Sequence, residues 1–465
     1  MDTVPVAPRR DGHDGIEVYG AGGRGSGEAV PPRNGGRLKL GAAAAAIFIV
    51  LLLLGVPLFI VIGLASGFCL HFIGHYPLTV IAQQMFTATD NFTLLAIPFF
   101  ILASTIMTAG GSAKRIVDFI SSLVEWFPGG LALATVMGCV FFAALSGISP
   151  ATIVAVGGMM YPALKKAGYS ENFSLGLITS SGSIGILIPP SIVVIIFGII
   201  GGVAINELFL AGAIPIAMIA GIFAVYSVAA GLMDRAGRKR FSPRAAAGAF
   251  YRGFWGILLP ALIIGGIYAG VFTVTEASAA AVVYAFVVEF FFYREIGIRR
   301  LPALFADAAV TTGMVMIIVA VTLGFSWFLT VQRVPHMMAE VITARISSPL
   351  GFLVLVNLLL LLLGCLMDIL SAILITVPIL LPIAETMGID PVHFGIIFMV
   401  NFEIGYLTPP VGMHLFVSSA VFNKSIVAVS RSIVPFIALL LAALAVITYF
   451  PQVSLYLVNA ARGLP

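Results

Sequence analysis

Of 465 residues, 60% are hydrophobic and 9% charged, and the mean hydropathy is +1.12. A soluble domain of this length could not keep so much apolar surface in water, so the sequence requires a bilayer as solvent. Lys and Arg total 24 against 20 Asp and Glu, and the basic residues fall between apolar stretches, which argues against nucleic acid as a partner.

Residues 1–40 are rich in Gly, Pro and Arg without apolar periodicity, the composition of a disordered tail. The nearly continuous apolar run from Leu40 to Leu70 is too long for a signal-peptide core and carries no clear cleavage site, so it reads as the first span. A barrel would need short alternating segments instead. Spans are expected at 43–70, 88–110, 172–204, 208–233, 254–273, 276–293, 305–331, 392–424 and 433–457. Two further apolar blocks, 129–166 and 349–386, are interrupted at mid-length by Ser146-Gly147-Ile148-Ser149-Pro150 and by Met367-Asp368-Ile369-Leu370-Ser371. Each half-block is short for a crossing, so these are expected to be re-entrant hairpins with tips inside the membrane.

The basic run Arg235, Arg238, Lys239, Arg240, Arg244, Arg252 and the group Arg294, Arg299, Arg300 mark cytoplasmic loops. Counting crossings from them places the N-terminus in the cytoplasm, the C-terminus outside, and the two hairpins on opposite faces.

A self-match runs through the chain at a constant offset. Ile153 pairs with Ile373, Pro162 with Pro382, Gly168 with Gly388, Gly185 with Gly405, Leu187 with Leu407, Pro189 with Pro409, Pro190 with Pro410 and Pro215 with Pro435. Chance seldom aligns four prolines and two glycines in one ungapped register. The expected fold is therefore an all-α polytopic membrane protein of two inverted-topology repeats, residues 41–233 and 274–465, joined by a basic loop and linking helix over 234–273. Each repeat carries a re-entrant helical hairpin and a broken helix. Such repeats are typical of secondary transporters, with sites at the repeat interface near the midplane.

Both Pro-Pro pairs lie within spans and remove two amide donors each, so the helices must break there and free carbonyl oxygens. Hydroxyls and freed carbonyls at the breaks and hairpin tips, without thiols or paired imidazoles, suit Na⁺. One sodium site is expected from Ser146, Gly147, Ser149, Ser181, Gly185 and Ile188, and a second from Asp368, Ser371, Asn401, Gly405 and Thr408. Substrate is expected between them, at Thr152, Thr179, Ser180, Pro189, Ala372 and Pro409. The competing reading is that the small residues only pack helices closely and that Pro-Pro is a kink. For Asp368 a helix cap stays open beside an ion role, Glu403 is expected near the site or facing a water-filled opening, and Glu276 reads as a capping residue after Thr273.

No phosphate-binding G-x-x-x-x-G-K-[ST], no H-E-x-x-H and no G-x-S-x-G occurs, and Cys69, Cys139 and Cys365 show no pairing pattern. ATP hydrolysis, enzyme chemistry, a redox role and a cofactor are not expected.

The stretch Phe142 to Thr152, then Tyr161 to Tyr169, Leu95-Ala96-Ile97-Pro98-Phe99-Phe100, Gly185 to Ser191, Leu208 to Gly212, Gly270 to Ala277 and Asn401 to Gly412 resemble the large membrane subunit of tripartite ATP-independent periplasmic (TRAP) transporters. The resemblance covers about 43 to 457. It implies a scaffold and an elevator-type mobile domain in a bacterial inner membrane, Na⁺-coupled uptake of an organic acid, a periplasmic substrate-binding protein and a separate small subunit of four helices. Many relatives have a second Ser after the first tip's Ser-Gly, where this chain has Ile148. A stand-alone divalent-anion carrier would share the hairpins and repeats, and a non-transporting scaffold is the alternative from another class.

Overall fold

The computed structural model describes residues 51, 58–73, 76–77, 79–234, 241–346 and 348–463. The expected tail, the start of the first span and most of the basic loop lie outside these residues. Among the described residues every regular element is helical, and seven helices are long and apolar enough to cross a membrane.

In the first half, α1 (Leu58–Phe68) ends in a π-turn at Cys69–Ile73 and is followed by α2 (Thr79–Thr89), α3 (Ala96–Ala109) and α4 (Ser112–Val124). The hairpin is α5 (Gly130–Ser146) and α6 (Ser149–Lys166). The broken helix is α7 (Glu171–Ser183), a 3-10 turn at Ile184–Ile186, and α8 (Ile192–Gly201), followed by α9 (Ile205–Met233). A linking helix, α10 (Pro243–Tyr268), leads to the second half: α11 (Val274–Val287) with a π-turn at Val288–Phe292, α12 (Leu301–Val331) and α13 (Val334–Thr343). The second hairpin is α14 (Pro349–Gly364) and α15 (Ile369–Thr386), the second broken helix α16 (Pro391–Leu407) and α17 (Met413–Phe422), and the chain closes with α18 (Ile426–Tyr449) and α19 (Gln452–Arg462).

The repeat is visible element by element. The returning hairpin helices α6 and α15 have the same length, 18 residues each, in the sequence's own register. Ser170 caps α7 by accepting from the Phe173 N–H, and Asp390, at the equivalent position, caps α16 by accepting from the Val392 and His393 N–H groups. Both diproline bonds, Pro189-Pro190 and Pro409-Pro410, are cis. Packing is exchanged between the halves: α6 lies on α17 and α15 on α8, α7 on α18 and α16 on α9, α3 on α11 and α12 on α1.

Helix α9 shows that the halves are inverted. Its 29 residues rise about 43 Å at 1.5 Å per residue, enough to separate the two membrane faces. At its end, Asp234 Oδ2 accepts the N–H of Ser170 at the base of the first hairpin, 3.1 Å away. At its start, Glu207 bonds Arg462, which also reaches Asp390 at the base of the second hairpin. The hairpins therefore enter from opposite faces. Their tips meet in one cavity, so neither hairpin crosses, although α15, alone of the hairpin helices, is both long and apolar enough to do so.

Several expected boundaries change. The linking helix starts at Pro243, ahead of the expected 254, because Ser242 caps it and Pro243 occupies its first turn. The expected last span, 433–457, is two helices, since the chain turns at Phe450-Pro451 between α18 and α19. Three helices were not expected: α2, ahead of the span expected to start at 88, and α4 and α13. The latter two occupy equivalent positions in the halves, each linking a spanning helix to a hairpin, and α4 turns Ile116, Val117 and Ile120 inward while Lys114 and Asp118 face out.

Candidate functional site

Each hairpin tip is seated against the helix break of its own half. Gly147 ends α5 with φ of +62°, and a Cβ there would lie 2.8 Å from the Pro190 carbonyl oxygen, so only glycine lets the tip approach the diproline. Ser149 Oγ donates to the Ser183 carbonyl at 3.4 Å, Ser146 Oγ lies 3.1 Å from Thr152 Oγ1, and Ile188 N–H donates to the Gly185 carbonyl at 3.4 Å. The Ser146 carbonyl also accepts from Ser104 Oγ of α3 at 2.6 Å, joining the tip to the surrounding frame. At the second tip, Gly364 and Gly405 touch backbone to backbone, and Ile369 N–H donates to Tyr406 Oη at 2.5 Å. Asp368 caps α15 through the Ser371 N–H at 2.9 Å and also accepts from the Ser371 hydroxyl. The capping role of Asp368 is thus present, as is that of Glu276, which forms a capping box with Thr273.

Between the tips lies a cavity of about 260 Å³ lined by Gly147, Ile148, Ser149, Pro150, Asp368, Ile369, Leu370 and Tyr406, with Ile101 of α3 and Thr311 and Val315 of α12 on the frame side. Four helix starts open onto it: Ser149-Pro150 of α6, Ile192-Val193 of α8, Ile369-Leu370 of α15 and Met413 of α17. Helix starts carry partial positive charge, so four of them converging favour an anion, although Pro150 has no N–H and the Ile369 and Ser371 N–H groups are already bonded to Tyr406 Oη and Asp368 Oδ2.

The expected residues divide into groups. Gly147, Ser149 and Asp368 line the cavity. Ser146, Gly185 and Ile188 pack just behind the first tip, and Ser371 just behind the second. Ser181 and Asn401, which occupy equivalent positions in the two halves, are both fully buried, and Ser181 Oγ and Asn401 Oδ1 have no hydrogen-bond partner. The Asn401 amide nitrogen points away from the tip, to Asn357 Oδ1 of α14 at 2.8 Å. Thr408 Oγ1 donates to the Ile404 carbonyl at 2.8 Å. The residues expected to meet substrate stand around the cavity and not on its lining: Thr152, Thr179, Ser180, Pro189 and Ala372 are buried in helix packing, with Thr179 bonded to Ser418 at 2.8 Å, while Pro409 is exposed. Glu403 faces no water-filled opening. It is completely buried, its Oε1 3.1 Å from Ser183 Oγ. Sequence reasoning missed Tyr406, Thr311, Val315 and Ile101 because nothing in an apolar span marks which side turns toward a cavity.

Opposed hairpins, paired broken helices and a central anion-favouring cavity define a secondary-transporter permease. The description "Tripartite ATP-independent periplasmic transporter, DctM component" matches residues 45–453, and the chain belongs to that family. It is 40% identical over 448 residues to the C4-dicarboxylate TRAP transporter large permease protein DctM of Vibrio cholerae, covering 90% of this chain and 98% of that protein. It is 37% identical over 414 residues to the isethionate TRAP transporter permease protein DctMQ of Oleidesulfovibrio alaskensis, covering 88% of this chain and 65% of that one. The crystal structure of the Alcanivorax borkumensis YdaH transporter shares the fold, with a TM-score of 0.59 at 14% identity over 91% of this chain and 99% of that one.

Proposed function

We propose that the chain is the translocation subunit of a Na⁺-coupled importer of a small organic acid, working by elevator-type alternating access. The observation that carries this reading is the cavity of about 260 Å³ onto which four helix starts converge. Its dipoles favour a carboxylate or sulfonate, and relatives are named for a C4-dicarboxylate and for isethionate.

An anion beside the Asp368 carboxylate needs a compensating positive charge. Na⁺ supplies it as a co-transported substrate, and the residues fit such an ion: the buried, partnerless Ser181 Oγ and Asn401 Oδ1 supply hard oxygen donors at equivalent places in the halves, one turn from Gly185 and Gly405. The cavity lies between a frame of α1, α3, α11 and α12 and a unit of hairpins and broken helices. That unit is tied across the halves by Glu171 with Lys424, and at the other face Arg462 of α19 joins Asp390 at the start of α16 to Glu207 of α9. Such ties support movement of the unit as one body, carrying the cavity past the frame.

The domain division in this reading is a tail at 1–40, repeats at 41–233 and 274–465 and a link at 234–273. The N-terminus is cytoplasmic and the C-terminus periplasmic, by the positive-inside rule. Substrate arrives on a periplasmic binding protein, and a four-helix subunit accompanies the frame. The DctMQ relative extends well beyond its match to this chain. No cofactor is assigned. Proteoliposomes containing the chain, the small subunit and loaded binding protein test the reading: an inward Na⁺ gradient drives uptake, and Ser371→Ala or Thr408→Val weakens its sodium dependence more than its expression. Uptake that stays flat with and without the gradient overturns it.

A further inference from the structure

A chain of contacts joins the two hairpin tips through the middle of the protein. Ser149, on the cavity wall, donates to the Ser183 carbonyl at 3.4 Å. The Ser183 hydroxyl lies 3.1 Å from Glu403 Oε1 and 2.8 Å from the Ser180 carbonyl, which share its proton. One turn along α16 from Glu403, Tyr406 lines the cavity and accepts the N–H of Ile369 at the second tip.

The ends and the middle of this chain are repeat equivalents, although the links differ: the second tip is held through Tyr406, where the first half has Ile186. Ser183 and Glu403 are 220 residues apart, and Ser149 and Ile369 are separated by the same interval. Contact between a residue and its own repeat equivalent occurs where the internal two-fold axis passes. At that point, a shift of one broken helix acts directly on the same position of the other. Both residues are completely buried, and Glu403 Oε2 has no partner, an arrangement that packing alone would not favour over an apolar side chain.

We propose that the Ser183–Glu403 hydrogen bond is a positioning contact that couples the two tips, so that ion binding at one raises the affinity of the other. This rests on the Na⁺-coupled reading above. The two broken helices then close as a pair, and substrate meets a site with both tips ordered. Couplings of this kind ordinarily change affinity by about 5- to 150-fold.

The test is the Na⁺ dependence of uptake in proteoliposomes containing the chain, the small subunit and loaded binding protein. Wild-type uptake should be sigmoidal in Na⁺, and a hyperbolic wild-type dependence overturns the coupling. Glu403→Ala removes the acceptor, so the Hill coefficient falls toward about 1 and half-saturation moves to higher Na⁺ by about 5-fold or more. Glu403→Gln keeps an acceptor oxygen in place and retains the wild-type Hill coefficient. Ser183→Ala, a milder change, reproduces the alanine effect, and the double variant adds nothing to it. Slower uptake with an unchanged Hill coefficient in both alanine variants overturns the coupling and leaves a structural role only. Glu403→Gln failing as Glu403→Ala does also overturns it, because charge and not the hydrogen bond would then be required. Na⁺-independent wild-type uptake overturns the sodium reading and this inference with it, an outcome distinct from unchanged cooperativity in the variants.

Discussion

Replacing Gly405 by alanine puts a methyl group where the second tip meets its broken helix. The new Cβ would lie 2.5 Å from Gly364 Cα, 2.6 Å from the Gly364 carbonyl carbon and 3.1 Å from the Cys365 nitrogen. All three are backbone atoms, so no rotamer relieves the overlap. Carbon contacts settle near roughly 3.5–4.0 Å, which requires the tip to retreat from α16 by ~1 Å. Overpacking of this kind costs about 1–3 kcal/mol. Ion sites hold their ligands to within about 0.2 Å, so a retreat of ~1 Å also spreads the donors of Asp368 and Ser371 from those of α16. The purified variant should melt several degrees lower, and its half-saturating Na⁺ in proteoliposome uptake should rise about tenfold, equivalent to about 1.4 kcal/mol. Gly158→Ala is the control: no atom lies within 4 Å of its Cβ position, and alanine there gains helix propensity of about 1 kcal/mol. A Gly405→Ala protein with wild-type melting and wild-type Na⁺ dependence would refute the argument that the tip must seat on the break.

Three further outcomes follow from other contacts. Asp368→Asn keeps a cap for α15 and should fold normally yet bind Na⁺ more weakly, whereas Asp368→Ala should also lose about 1 kcal/mol of stability, as thermal melting with and without Na⁺ will show. A double-mutant cycle on Arg462 and Glu207, whose side chains are about one-third and one-quarter exposed, should give a coupling of about 1 kcal/mol that shrinks at high salt. The hydrogen bond from Lys424, with Lys165 nearby, holds the Glu171 carboxyl below its ordinary 4.5. A depressed carboxyl pKa stabilises above the unfolded value and loses that contribution as pH falls through the folded one. The melting difference between wild type and Glu171→Gln should therefore be positive at neutral pH and shrink as the pH falls below the ordinary 4.5.

The features that were legible in the sequence are those with a local physical cause. Pro189-Pro190 and Pro409-Pro410 must interrupt a helix wherever they fall, and the small-residue turn at Ser146-Gly147 cannot continue one, so breaks and hairpins could be read directly. The glycine and proline matches exposed the duplication for the same reason. Helices α4 and α13 were not legible because their polar faces keep them below the hydropathy of a span, although the charge spacing of Lys114 and Asp118 was there to be read. Pro451 was likewise a visible stop that an uninterrupted span over 433–457 passed through.

Knowledge of the site was uneven for a related reason. The tips could be named because their residues are consecutive, but the cavity's other wall comes from α3 and α12, where Ile101, Thr311 and Val315 look like any span residues. The offset of 220 relates Ser183 to Glu403 as equivalents, yet says nothing about their touching, since homology fixes correspondence and not the position of the axis. The burial of Glu403 follows from that position, and so it became visible only in three dimensions.

The most direct measurement is labelling of Leu370→Cys, at the second tip, with a membrane-impermeant maleimide in a background where Cys69, Cys139 and Cys365 are alanine. Right-side-out and inside-out vesicles each expose one face. Alternating access predicts that the site reacts from both faces in turn, with the balance shifted by Na⁺ and slowed by substrate. Reaction from a single face under every ion and substrate condition would contradict it.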